Sequence, residues 1–244
     1  MFCLVGVFWV LLRPAMPADD RYKYLQFVFH PRQIPFDNIP LYYKLRLQFY
    51  FAVQEDISFG NRNNSFDGEV HVQFRVDRSN NRIILHSRDL RIKNVTVMDD
   101  TGFHLPHKFA VIEKRMLTSH LQAVDARSVF PCLDNPEAKA VFEATIVHLK
   151  GTHAVSNTME VHTTETADDD QFTLTRFEPT PIMSTYLFAV CISDFPFVET
   201  THNNIRVYVE PNKIRDTGAA LAVIPRLLQF YEDYFDILYP LKKL

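Results

Sequence analysis

Ten histidines are the residues best able to build a metal or acid–base centre in this 244-residue chain, and none of them is followed by glutamate. The H-E-x-x-H spacing, which sets two imidazoles and a general base on one helical face, is therefore absent, and no zinc hydrolase site of that kind can be assembled from the sequence. His104-Leu105-Pro106-His107 offers two imidazoles, but its proline marks a loop. Asp168-Asp169-Asp170 lacks the alternation of oxygen ligands that a calcium loop needs and reads as a solvated turn between strands. Six glycines, none arranged as G-x-S-x-G, a P-loop or G-x-G-x-x-G, exclude the common nucleophile elbow and phosphate cradles. Cys3, Cys132 and Cys191 are odd in number, far apart and without C-x-x-C spacing, which indicates neither a disulfide framework nor a thiolate zinc site. Cys132 and Cys191 read as buried apolar residues. No catalytic residue, metal ligand or cofactor is expected within these residues.

Composition narrows the classes further. With 47% apolar residues, a chain of this length buries about 70 to 75% of its unfolded surface, so one or two globular units are expected rather than disorder. A formal net charge of −3, spread without a basic block, leaves no electrostatic footprint for nucleic acid. Residues 1–12 are uncharged and mostly large and apolar, too short for the roughly 20 residues of a spanning helix. They fit a secretory h-region or an anchor, although no basic residue precedes them and Pro14 and Pro17 interrupt the small-residue pattern at Ala15 and Ala18; a wrong start of the reading frame is the alternative. If the chain enters the secretory route, Asn63-Asn64-Ser65 and Asn94-Val95-Thr96 are glycosylation acceptors.

Residues 42–209 read as strands. Val70, Val72, Phe74 and Val76 alternate with Glu69, His71, Gln73 and Arg75, the pattern of a half-buried antiparallel strand. Tyr43, Leu45, Leu47, Phe49, Phe51 and Val53 repeat that period, and residues 78–82 supply a turn toward Ile83-Ile84-Leu85-His86. His71 and His86 are read as strand residues, not ligands. Further strands are expected at Val141–Leu149, at Phe172–Phe177 and at residues 186–192, whose unbroken apolar run implies burial on both faces. Beyond Glu210-Pro211 the spacing predicts one helix over Thr217–Phe235, capped at Asp216 or Thr217, with Pro225 kinking it or moving its start. Ile224, Leu227, Leu228, Tyr231 and Phe235 give it a wide apolar face that little remaining sequence can cover.

Several ordered blocks carry a family resemblance. The longest runs Asp125-Ala126-Arg127-Ser128-Val129-Phe130-Pro131-Cys132-Leu133-Asp134-Asn135-Pro136-Glu137-Ala138-Lys139, followed by Phe142-Glu143-Ala144-Thr145-Ile146 and Val155-Ser156-Asn157. Ile39-Pro40-Leu41-Tyr42, Phe66-Asp67-Gly68 and Ile84-Leu85-His86-Ser87 precede it; Met183-Ser184-Thr185-Tyr186-Leu187, Ser193-Asp194-Phe195, residues 230–235 and residues 239–244 follow. Together, over about residues 34–244, these resemble the aminopeptidase N family of zinc metalloaminopeptidases.

That resemblance implies a mainly β architecture: a saddle or sandwich of mostly antiparallel strands, then one strand and one helix of a thermolysin-like catalytic domain. The corresponding division is an apolar leader at 1–20, a β domain at 21–205 and the start of a catalytic domain at 206–244. Zinc is the family's cofactor, and the family's exopeptidase and zinc-binding motifs would lie beyond Leu244. In the family a Gln-x-Glu before the Asp-Ala-Arg block binds the substrate's free amine; His120 and Gln122 stand at those positions and depart from the pattern. An amide there can accept an ammonium hydrogen bond but lacks the charge that makes such bonds about twice as strong, and the alternative for both residues is an ordinary surface role. Asn135 also replaces the usual acidic residue, and strands that the family carries before Asp125 are nearly absent, which would leave a sheet edge unpaired. The expected function is the N-terminal part of a zinc aminopeptidase-like protein, partnered with peptide N-termini once completed by a catalytic domain, secreted or on the outer face of the plasma membrane. The alternatives are a non-catalytic extracellular binding or adhesion module on the same β domain, and a cytoplasmic location.

Overall fold

Alternating apolar side chains in residues 38–76 produce the two long strands at the centre of the main sheet. The computed structural model describes residues 6–12, 25–28, 38–53, 57–76, 83–92, 94–98, 116–166, 169–200 and 205–244; the expected turn at 78–82, the His104/His107 pair, Asp168 and Cys3 lie outside them. Two short strands, β1 (Gly6–Leu12) and β2 (Leu25–Val28), precede the long antiparallel pair β3 (Asn38–Tyr50) and β4 (Ser65–Val76), in which Leu45 faces Val70 and Phe49 faces Phe66. Tyr43, Leu45, Leu47, Val70, Val72 and Phe74 are fully buried, as their period requires. Gly68 sits across from Leu47, and a Cβ there would lie 2.8 Å from the Leu47 Cδ2, so the close approach of these strands uses the missing side chain.

The remaining strands are β5 (Ile83–His86), β6 (Asn94–Met98), β7 (Met116–Thr118), β8 (Val141–Leu149), β9 (His153–Ser156), β10 (Glu160–Glu165), β11 (Phe172–Phe177), β12 (Val190–Ser193), β13 (Phe197–Glu199) and β14 (Arg206–Tyr208). Seven form the main sheet in the order β10-β11-β8-β3-β4-β1-β6. It is mixed: β8 runs parallel to β3, and β1, from the apolar leader, runs parallel to both β4 and β6. A second, antiparallel sheet has the order β7-β12-β9. The fold is thus mainly β. Between the sheets, Tyr43 stacks on Phe142 at 4.9 Å, and Phe130 meets Phe188 edge-on at 5.7 Å. These aromatic pairs join the 125–139 block and the approach to β12 to the central strands.

One expectation fails. Residues 186–192 do not form a continuous strand buried on both faces: a 3-10 turn occupies Thr185–Leu187, Leu187 is 48% exposed, and β12 starts only at Val190. The cause is local anchoring. The Ser184 hydroxyl donates to the Pro136 carbonyl and the Thr185 hydroxyl donates to Asp134 Oδ1 at 2.7 Å, which holds this backbone in a turn that apolar patterning cannot reveal.

β13 and β14 pair as an antiparallel hairpin across the 205/206 position. The one α-helix among the described residues, α1 (Thr217–Phe235), spans the expected range and passes through Pro225, but the expected cap does not form: Asp216 closes a 3-10 turn with helical dihedrals and makes no side-chain cap hydrogen bond, and the Thr217 hydroxyl instead donates to the Ile214 carbonyl. It ends at Asp236, whose φ of 53° reverses the chain. The chain then returns to the sheet, where Arg206 N donates to the Leu244 carbonyl and Lys243 Nζ donates to Glu160 at 2.8 Å. Ile224 and Leu228 are half-buried, whereas Leu227, Tyr231 and Phe235 are exposed.

Candidate functional site

His120 and Gln122 sit on a loop that is fastened at three points. Ser119 N donates to the Val190 carbonyl and Val190 N donates to the Ser119 hydroxyl, which ties the start of the loop to β12. Leu121, between the two candidates, is buried in the main core. Asp125 N donates to the Leu121 carbonyl, and the Asp125 carboxylate pairs with Arg88. Backbone and apolar anchoring of Ser119, Leu121 and Asp125 leaves His120 and Gln122 exposed on either side of Leu121. Neither side chain bonds to another described residue. The peptide joining Gln122 to Ala123 is cis.

Behind this loop lies a buried polar knot. Asp134 Oδ2 accepts from Arg127 Nε at 2.9 Å and from Arg127 N at 3.2 Å, while Oδ1 accepts from Thr185. Asp134 N in turn donates to His86 Nδ1 at 3.0 Å, which fixes that imidazole nitrogen as an acceptor. His86 and Cys132 exchange two backbone hydrogen bonds, and Leu133 N donates to the Tyr43 hydroxyl. Burial pushes both the Tyr43 hydroxyl and the Cys132 thiol well above their ordinary values, so both stay neutral. In the sequence 84–87, 125–139 and 183–187 are separate blocks; the fold makes them one structure. The signal available was hydroxyl, carboxylate, guanidinium and imidazole residues within otherwise apolar blocks, which in a core must find one another.

Elsewhere, His148 lies beneath a concavity of about 150 Å³ that Glu160, Phe197, Arg206 and Tyr208 also line. The Thr152 hydroxyl donates to the Leu149 carbonyl and so accepts from His148 Nδ1, leaving Nε2 to accept from Thr175, both at 2.9 Å. Burial lowers the imidazole pKa to about 4. Glu160 is compensated by Arg206 and Lys243. Among the described residues no group of three or more His, Cys, Asp and Glu side chains could hold a metal ion. Asn63 is exposed in the turn before β4, its Oδ1 accepting from Phe59 N at 2.7 Å; Asn94 opens β6. No described helix is long and apolar enough to cross a membrane.

The residues that build this knot lie within the stretch that known proteins share. The family profile of the peptidase M1 N-terminal domain matches residues 39–111 and 101–187. The chain belongs to the peptidase M1 N-terminal domain family. Aminopeptidase N of Rattus norvegicus is 37% identical over 136 residues, covering 54% of this chain and 14% of the relative. Aminopeptidase N of Haemonchus contortus is 41% identical over 128 residues, covering 51% and 13%. The thyrotropin-releasing hormone-degrading ectoenzyme of Rattus norvegicus is 28% identical over 259 residues, covering 84% and 23%. These matches take in less than a quarter of the relatives' own length. An alignment of 259 positions exceeds the whole 244-residue chain, so the M1 relative carries stretches with no counterpart here.

Proposed function

We propose that this chain forms the N-terminal β domain of a zinc aminopeptidase-like protein and that its 119–125 loop presents Gln122 and His120 to the free amine of a peptide substrate. The observation that carries the reading is the anchoring of that loop: Ser119, Leu121 and Asp125 are each fixed to the body, and the two candidates between them stay exposed. A preorganised loop with free polar tips is what binding at an adjoining active site requires. Gln122 accepts an ammonium hydrogen bond through its amide oxygen, and His120 adds a second polar edge. Neither side chain brings a carboxylate's negative charge, so amine affinity is lower than a carboxylate would give.

In this reading residues 21–205 are the β domain, residues 206–244 begin the catalytic domain, and zinc with its activated water belongs to sequence that follows. Residues 1–244 themselves carry no catalytic machinery. The protein is secreted or displayed outside the plasma membrane, in keeping with the ectoenzyme among its relatives, residues 1–20 act as signal or anchor, and Asn63 and Asn94 are glycosylated. A non-catalytic extracellular binding module on the same domain is the rival reading.

Full-length transcripts test the proposal. Sequence after codon 244 is expected to encode a Gly-Ala-Met-Glu-Asn-like segment and then H-E-x-x-H with a further glutamate. Transcripts that stop at this codon, with no such motif in adjoining exons, favour the binding module. Purified 244-residue chain is expected to hold no stoichiometric zinc and to release no amino acid from aminoacyl substrates; chelator-sensitive hydrolysis by this chain would overturn both readings.

A further inference from the structure

We propose that the concavity over His148 binds a small neutral sugar, gripped by hydroxyl groups of the main sheet and of the β13–β14 hairpin. Its lining is polar where a sheet face covered by another element is normally apolar: Thr175 is 3%, His148 2% and Thr152 8% exposed. Thr163 on β10 and Thr175 on β11 are cross-strand partners, and Thr173 lies directly across from His148 on β8. At about 150 Å³ the space is below the roughly 300 Å³ at which pockets begin to engulf drug-sized ligands, so its occupant is small.

The hydrogen bonds around His148 all run one way. The Leu149 carbonyl can only accept, so the Thr152 hydroxyl donates to it and accepts from His148 Nδ1, and Nε2 accepts from Thr175. Having given its proton to the imidazole, Thr175 accepts from the Thr163 hydroxyl at 3.3 Å. The series therefore opens at the Thr163 oxygen, an acceptor that lines the concavity. Tyr208, on the hairpin, supplies the complement: Arg206, which can only donate, bonds to its hydroxyl, so the phenol proton is left to give. A group that donates to Thr163 and accepts from Tyr208 is itself a hydroxyl, and Thr173 adds another that can do either.

Charge points the same way. Arg206 and Lys243 are matched by Glu160 and Glu199, and burial keeps His148 neutral. These residues leave no unmatched cation for a phosphate and no unmatched carboxylate for an ammonium group. Phe197, 40% exposed, offers apolar surface to the C–H side of a sugar ring. None of the lining residues belongs to the 119–125 loop, so this site goes beyond the peptidase reading and is independent of it.

Titration of the isotope-labelled 244-residue chain with glucose, galactose and mannose, followed by NMR, tests the proposal. At least one of them is expected to shift the Thr163, Thr173 and Tyr208 amide signals saturably, with a Kd on the order of 1–10 mM, while glycine and inorganic phosphate leave them in place. The methyl glycoside of that sugar separates two sources: binding that is kept identifies the end of a glycan, and binding that is lost identifies the free sugar. Tyr208→Phe and Thr163→Val each remove one hydroxyl and should weaken binding about fivefold, with circular dichroism confirming that each variant is folded. No saturable shift from any of the three sugars, equal shifts from glycine or phosphate, or an unchanged affinity in either folded variant would each overturn the proposal.

Discussion

Asp134 accepts both the backbone N–H and the Nε of Arg127 on one carboxylate oxygen, so a single buried atom closes the main chain and the side chain of the same residue. The pair is almost completely buried, with side chains only 8% and 1% exposed. Arg127 also anchors β5's continuation, because Arg88 N donates to its carbonyl. The knot therefore holds in register the block that carries the candidate loop.

Breaking it should be costly. Asp134→Ala leaves the Arg127 guanidinium buried without its carboxylate, a change worth about 3–5 kcal/mol of stability. Asp134→Asn keeps an oxygen for one donor and should cost less. Urea denaturation of the three proteins checks the order; a loss below about 1 kcal/mol for the alanine variant would show that water replaces the carboxylate.

His148 makes stability depend on pH. Its imidazole titrates near 4 in the folded protein, against 6.5 when free, because it is buried between two threonine hydroxyls. Below pH 6.5 the unfolded state binds a proton that the folded state refuses, so the folded state loses ground as pH falls from 6.5 toward 4, by about 3 kcal/mol in all. Above pH 6.5 this residue contributes no slope. Denaturation midpoints measured across that window for the native chain and for His148→Gln should differ in slope; parallel curves would show that the imidazole is not the source.

The candidate loop should behave as a surface feature in the isolated chain. His120→Ala and Gln122→Ala remove exposed side chains with no bond to a described residue, so each should leave stability within about 0.5 kcal/mol. Thermal melting measures this directly. A large loss for either would reassign that residue to holding the loop.

Asn63 should carry an N-linked glycan when the chain is made in secretory cells, since it stands in an exposed turn whose tip projects from β4. Enzymatic deglycosylation of protein from the medium should increase gel mobility, and Asn63→Gln should remove part of that shift. Phe59 N donates to Asn63 Oδ1 and Asn63 Nδ2 donates to the Ser58 hydroxyl at 3.3 Å, so attaching the sugar at that nitrogen alters the second, longer bond.

Elements with their own period were legible in the sequence. The faces of β3 and β4 and both ends of α1 follow from spacing, because burial of one stripe decides them. The start of β12 was not, because the turn before it depends on a hydroxyl–carboxylate bond between Thr185 and Asp134 that spans 51 positions. The parallel pairing of β8 with β3 is likewise a matter of which strands meet, and no local pattern records it. His120 and Gln122 differ from both cases. Nothing in their own types marks them out, and only the blocks on either side identify the loop as one that could face a substrate.

Lys243 sits over the Phe177 ring at 5.3 Å with its ammonium bound to Glu160, and is 6% exposed. A trypsin-like protease needs an extended, accessible lysine, so the bond after Lys243 resists cleavage for as long as the return segment stays seated, while that after the exposed Lys242 requires the same segment to lift. The segment beyond α1 is therefore a built-in gauge of its own undocking: its rate of nicking reads how often Lys242 and Lys243 lift away from the sheet, and salt, by loosening their ion pairs to Glu178 and Glu160, sets that rate.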